Sequence, residues 1–188
     1  MRRMINAFSS YLYKRNLRRR IINKKANLNV LFESDLSYMN LSEIDMRGAK
    51  MRASNLKKTL FKNTALQGAV ISSAKLIGAN FSGANLSYVN FSNSDMRGVN
   101  LRCANLYKAD FNNANLSYAD LTDARIDVTT NFTNANMTNV LVNINRLNIA
   151  ITEGAIVKPV GAFDKLLYSL SFKSYRPLNP EKIMPIAC

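Results

Sequence analysis

Three sets of residues could do chemistry in this 188-residue chain: regularly spaced carboxylates, two cysteines, and clusters of arginine and lysine. Acids such as Asp110 and Asp120 recur at multiples of five, and a carboxylate pair can do acid–base work. Their periodicity points instead to a structural task, an Asp or Asn oxygen bonded to turn backbone. Cys103 and Cys188 lie far apart in sequence and suggest no disulfide framework. Neither has a neighbouring base that would favour a reactive thiolate, so both read as structural. The chain has no histidine, which excludes Ser-His-Asp and Cys-His catalysis and imidazole metal sites. No glycine-rich phosphate loop occurs. No catalytic, cofactor-binding or metal-binding residue is expected, and the chain reads as a non-enzyme.

The cations carry more information. The net charge is +14. Residues 1–25 hold nine basic residues and no acid: Arg2, Arg3, Lys14, Arg15, Arg18, Arg19, Arg20, Lys24 and Lys25. Residues 26–147 carry a net +3 and residues 148–188 a net +2. The excess therefore belongs mainly to an N-terminal arm, not to the whole surface. A second stretch, Arg47, Lys50, Arg52, Lys57, Lys58 and Lys62, falls within 16 residues that contain no acid. The candidate partner-binding residues are Arg2, Arg3, Lys14, Arg15, Arg18, Arg19, Arg20, Arg47, Arg52, Lys57, Lys58 and Lys62.

These residues must be held by something, and the sequence says what. From Leu36 to Ile126 an apolar residue occupies every fifth position, in 19 successive pentads. Two residues before each of these centres the side chain is small in 17 of 19 cases, ten of them Ala. Directly before the centre, 13 of 19 are Asp or Asn. A period of five leaves no dry face on a helix and alternates faces on a flat strand. A chain that bends once per pentad resolves both problems and turns centre and small residue inward. Five of the seven glycines, Gly48, Gly68, Gly78, Gly83 and Gly98, lie two after a centre. A type II turn needs positive φ there. Four corners close a coil of about 20 residues, and five coils at strand spacing make a rod about 23 Å long.

The stretch Ala79-Asn80-Phe81-Ser82-Gly83-Ala84-Asn85-Leu86 shows the pattern, which resembles the pentapeptide-repeat family with its Ala-(Asp/Asn)-Leu-X-X consensus. The resemblance covers residues 34–128 strongly and about 129–147 weakly. It implies an all-β fold, a right-handed quadrilateral β-helix with short helical or irregular ends. After Ile126 the next centre is Phe132, six residues on, then Met137, with Val142 and Leu147 continuing the wall. This predicts a bulge and an imperfect last coil. Ala26-Asn27-Leu28 resembles a pentad out of phase, so entry to the rod is also irregular.

Three segments follow: a basic, helical arm or cap over 1–25, the β-helix over 26–147, and a cap and tail over 148–188. The arm has Met1, Met4, Ile5, Phe8, Tyr11 and Leu12 at helical spacing, and the last segment has Phe163, Leu166, Leu167 and Leu170. Pro177, Pro180 and Pro185 suggest an irregular tail. Both segments can cover the open ends of a solenoid. The arm can instead meet an anionic membrane or nucleic acid. No run near 18 apolar residues and no secretory leader are present. A bacterial cytoplasmic protein, or one exported without a cleaved signal, is expected.

The resemblance implies a non-catalytic protein-interaction scaffold. It admits a bacterial effector delivered to host cells by type III secretion, a secreted virulence factor. It also admits a gyrase-protecting mimic of DNA, but mimicry of a polyanion needs an acidic rod. The expected partner is a protein with an acidic surface, with homodimerisation through a terminal cap as a further option. No cofactor is expected.

Overall fold

The computed structural model describes residues 2–23, 28, 31–142 and 155–158, with side chains described from residue 12 onward and not for residues 156–158. The chain opens with helix α1, Arg2–Ile22, and then winds into stacked coils. Parallel bridges join residues 20 apart, as in Asp35 to Asn55 and Asn80 to Asn100. Each wall is so short that it contributes one bridge per coil rather than a run of strand. The Leu36 amide donates to the Asn55 carbonyl at 2.8 Å, and the Asn55 amide donates back to Ser34 at 3.0 Å.

Four walls result, and each stacks its own column of centres in the core. Wall 1 holds Leu36, Leu56, Leu76, Met96, Leu116 and Met137, all fully buried. Wall 2 holds Leu41, Phe61, Phe81, Leu101 and Leu121. Wall 3 runs from Met46 to Ile126 and wall 4 from Leu31 to Phe132. Aromatic centres stack along their columns. Phe61 and Phe81 lie 4.8 Å apart, Phe91 and Phe111 5.2 Å, and Phe111 and Phe132 5.0 Å. The small residues fit between the walls, where a second large side chain would overfill a close-packed interior.

Where Ser or Thr replaces the small Ala, its hydroxyl is buried and must bond. Ser54, Thr59, Thr64 and Ser94 donate to the carbonyls of Leu31, Leu36, Leu41 and Ile71, at 2.7 Å for Ser54 and 2.8 Å for the other three. The core is thus polar at these points without being unsatisfied.

The corners are β-turns in which the small residue donates to the preceding centre, as in Ala79 to Leu76 at 2.8 Å. The third residue takes positive φ at glycine and non-glycine alike. Gly68 (+69°), Tyr38 (60°), Ala53 (57°) and Lys58 (53°) occupy the same conformation. The geometry of the coil, not residue type, dictates the corner, and non-glycine residues pay a steric cost there.

The expected bulge is present. Beyond wall 3 the bridge spacing grows to 21, as in Asp110 to Asn131. The corner after Ile126 closes through Thr130 donating to the Asp127 carbonyl at 3.1 Å. Val128 thereby escapes the left-handed region that a β-branched residue tolerates poorly. Two short strands follow, β1 (Asn136–Thr138) and β2 (Ile156–Lys158), paired parallel with Asn136 opposite Ile156. Parallel stacking therefore continues past residue 147. Leu147, the apolar spacing over 163–170, the proline-containing tail and Cys188 lie outside the described residues.

At the other end Leu31 is buried and in phase, one pentad earlier than the repeat was traced. Leu28 packs against the core, and its carbonyl accepts from Lys50 at 2.9 Å. Leu17 and Ile21 of α1, four residues apart, join the same core cluster. The helix thus lies over the first coil and covers apolar surface that an open solenoid end would expose.

Candidate interaction surface

The periodic acids are fully accounted for by structure. In all 13 pentads with Asp or Asn before the centre, its Oδ1 accepts the amide two residues on. Asp110 binds the Asn112 amide at 3.0 Å and Asp120 the Thr122 amide at 2.9 Å. The two acids precede centres of walls 4 and 2, on opposite sides of the rod, so they cannot share a proton as a catalytic dyad. Cys103 sits half-buried at a corner with φ 57° and is disulfide-bonded, so it is not a free thiol. That corrects the expectation for Cys103, which was drawn from sequence spacing alone.

The arm's cations divide into two groups. Lys14 and Arg18, four residues apart, grip the rod. The Lys14 ammonium contacts the Asp35 carboxylate at 3.0 Å and donates to the Ser37 carbonyl at 2.8 Å. Arg18 donates to the Asn40 carbonyl. Burial alone would raise the Asp35 carboxyl. The Ser37 hydroxyl and the Lys14 ammonium outweigh it and hold Asp35 below the usual aspartate value. Arg15, Arg19 and Arg20 remain exposed on other faces of α1. Arg2 and Arg3 lie in its first turn. Lys24 and Lys25 lie outside the described residues.

The second basic stretch wraps nearly one whole coil. Arg47 lies at the wall 3 corner, Lys50 and Arg52 flank a wall 4 centre, Lys57 and Lys58 follow a wall 1 centre, and Lys62 a wall 2 centre. The result is a belt around the rod, not a patch on one face. Arg47 is held by Asp45 in a two-pronged pair at 2.9 and 2.7 Å. Among the described residues no carboxylate lies within ion-pair distance of Arg52, Lys57, Lys58 or Lys62. Farther along, two of the three described arginines lie beside acids, and Arg125 has no carboxylate within ion-pair distance among the described residues. Arg97 pairs with Asp95 at 2.8 Å, and Arg102 approaches Asp120 at 3.8 Å. The Arg97 guanidinium holds Asp95 below the ordinary carboxylate range despite partial burial.

Apolar groups are exposed beside the belt. A cleft of about 430 Å³ is lined by Phe32, Ala53 and Val70, with Lys50, Arg52 and Glu33 at its edge. Phe32 is 57% exposed there. Leu60, in the column between Asn40 and Asn80, is also exposed. Aromatic groups with cations above them occur at two corners. Lys58 lies 6.0 Å from the Tyr38 ring, and Lys108 lies 5.3 Å from both Tyr88 and Tyr107. The Tyr107 hydroxyl holds Lys108 above the ordinary lysine value. Sequence reading did not single out these tyrosines. For Tyr38 and Tyr88 the signal was the recurrent Leu-Ser-Tyr at Leu36, Leu86 and Leu116; Tyr107, directly after Leu106, lies outside it.

A model of pentapeptide repeats matches residues 30–68, 64–102 and 96–127, in eight copies and over more than half the chain. The chain belongs to the pentapeptide-repeat family. Its coils form the right-handed quadrilateral β-helix expected of that repeat. Solved pentapeptide-repeat structures similar to it include HetL of the cyanobacterium Nostoc, involved in heterocyst differentiation regulation. That pair is 20% identical, with 63% of this chain and 72% of HetL covered and a TM-score of 0.36. A pentapeptide-repeat protein of the Arabidopsis thaliana thylakoid lumen is 25% identical, with 76% and 94% covered and a TM-score of 0.28. A trypsin-treated variant of QnrB1, a plasmid-mediated fluoroquinolone resistance protein, is 12% identical, with 81% and 95% covered and a TM-score of 0.40. No curated protein matches the chain in sequence.

Proposed function

We propose that this pentapeptide-repeat protein is a non-catalytic interaction scaffold whose N-terminal end engages an acidic surface of a protein partner. The observation that carries the reading is the belt. Arg52, Lys57, Lys58 and Lys62 stand without ion-pair partners among the described residues and close together on one coil, while Arg97 and Arg102 farther along are matched by acids. Unpaired cations beside exposed apolar groups are what an acidic partner needs for steering and anchoring. The exposed Phe32 and its cleft supply the apolar part.

The Ala-Asn-Leu repeats with Ser- and Asn-rich outward positions support a narrower version. In it the chain is a bacterial effector delivered to host cells by type III secretion, without a cleaved signal. A reporter fused to the first residues should leave the bacterium only when that secretion system is intact. Its retention in the cytoplasm would remove the effector reading and leave the scaffold reading standing. Protection of gyrase by DNA mimicry is the competing role. A basic belt opposes it, since a mimic must present negative charge. A supercoiling measurement decides: the scaffold reading expects no effect of the purified chain at micromolar concentration.

A further inference from the structure

Helix α1 carries two stripes, and only one of them faces the rod. At 100° per residue, Lys14, Leu17, Arg18 and Ile21 share one arc. That arc supplies the buried apolar pair and the two cations bonded to the first coil. Leu12, Arg15, Arg19 and Ile22 share another arc, centred about 130° away. All four are exposed, with Leu12 at 38% and Ile22 at 44%. The same spacing continues through the sequence positions Phe8, Ile5 and Met4.

An exposed helical arc in which Leu12 and Ile22 flank Arg15 and Arg19, on a helix without any acid, has a specific chemical complement. Its apolar groups need an apolar layer and its guanidiniums need anions at the same depth. A duplex of nucleic acid offers phosphates but no apolar layer for Leu12 and Ile22. A second copy of α1 would bring Arg15 and Arg19 against their own counterparts. An anionic lipid leaflet offers both layers at once. We infer that the outward stripe of α1 is a site for the surface of an anionic membrane, with the helix lying in the interface and the rod held against the leaflet by its first coil.

The inference is independent of the rod's protein partner and is tested with the full chain and vesicles. The chain should cosediment with phosphatidylcholine–phosphatidylserine vesicles and not with phosphatidylcholine alone. Arg15→Gln with Arg19→Gln should weaken binding about 25-fold, at roughly fivefold per arginine. The melting temperature should be unchanged, because neither residue is bonded to the rod. The chain has no tryptophan, so Leu12→Trp introduces a single indole. Its emission should shift to the blue with anionic vesicles and stay put with neutral ones. The proposal is overturned if the chain ignores both vesicles, binds both equally, or keeps its affinity in the double variant. It is equally overturned if duplex DNA binds while the Leu12→Trp emission stays that of exposed indole with every vesicle.

Discussion

The Asp and Asn residues that precede the pentad centres each give one oxygen to the backbone of the next turn, and this removes them from chemistry. Their periodicity made that role legible, because a catalytic acid has no reason to recur every five residues. The corner conformation was only half legible. Glycine marked five corners, but Ala53, Lys58 and Tyr88 adopt the same left-handed φ without any sequence signal. Hydrogen bonds between coils impose it, and the residue bears the steric cost. Two substitutions measure that cost. Gly68→Ala meets nothing within 4 Å of the added Cβ, so it isolates the backbone penalty and should destabilise by about 1 kcal/mol. Ala53→Gly should stabilise by about 0.5 kcal/mol, the relief of that penalty less the greater freedom of an unfolded glycine. Urea midpoints of the two variants should move in opposite directions.

At the scale of elements, the walls were legible and the arm's docking was not. Repeated centres announce a column of core residues in advance. Leu17 and Ile21 announce nothing, because two apolar residues four apart do not stand out in the sequence beside the longer spacing from Met1 to Leu12. Leu31 was hidden for a related reason: Asn29 and Val30 before it break the small-then-polar pattern. Phe91 stacks on Phe111 within wall 4 and meets Phe81 of wall 2 edge-on at 5.6 Å across the core. Phe91→Ala should cost about 3–5 kcal/mol in denaturant unfolding, the range for a large buried aromatic. The clamp of α1 answers to pH. Asp35 is held below its ordinary value in the folded state, so its charged form favours folding. That contribution is complete above the unfolded aspartate value near 3.9 and is lost as pH falls through the lower folded value. Half-exposed pairs of this kind are worth about 0.2–1 kcal/mol. Proteolysis within the arm should therefore quicken on acidification toward pH 3 more than cleavage of the coils does. Asp35→Asn should show the quicker cleavage already at neutral pH.

The whole molecule has a direction. Its charge is not a property of the surface at large but of one end, where α1 and the first complete coil meet. There, among the described residues, Arg52, Lys57, Lys58 and Lys62 stand without ion-pair partners near exposed Phe32, whereas the later coils place acids beside Arg97 and Arg102. Sequence reading located the charge along the chain but not around it. Sixteen residues in a row look like a patch, and only the 20-residue coil turns them into a belt. On the proposed reading the belt accounts for binding and the buried columns for rigidity, and neither needs a reacting group. The most direct test sets two full-length variants against each other in capture of a protein partner from cell extract, with the wild type as reference. One replaces Arg52, Lys57, Lys58 and Lys62 with serine; the other is Asp110→Asn with Asp120→Asn, which keeps the Oδ1 acceptor that Asn supplies in many other coils. With circular dichroism confirming the fold of both, the belt variant should lose the salt-sensitive partner and the Asp-to-Asn variant should keep it. Retention by the belt variant, or loss on replacing only the two acids, would contradict the account.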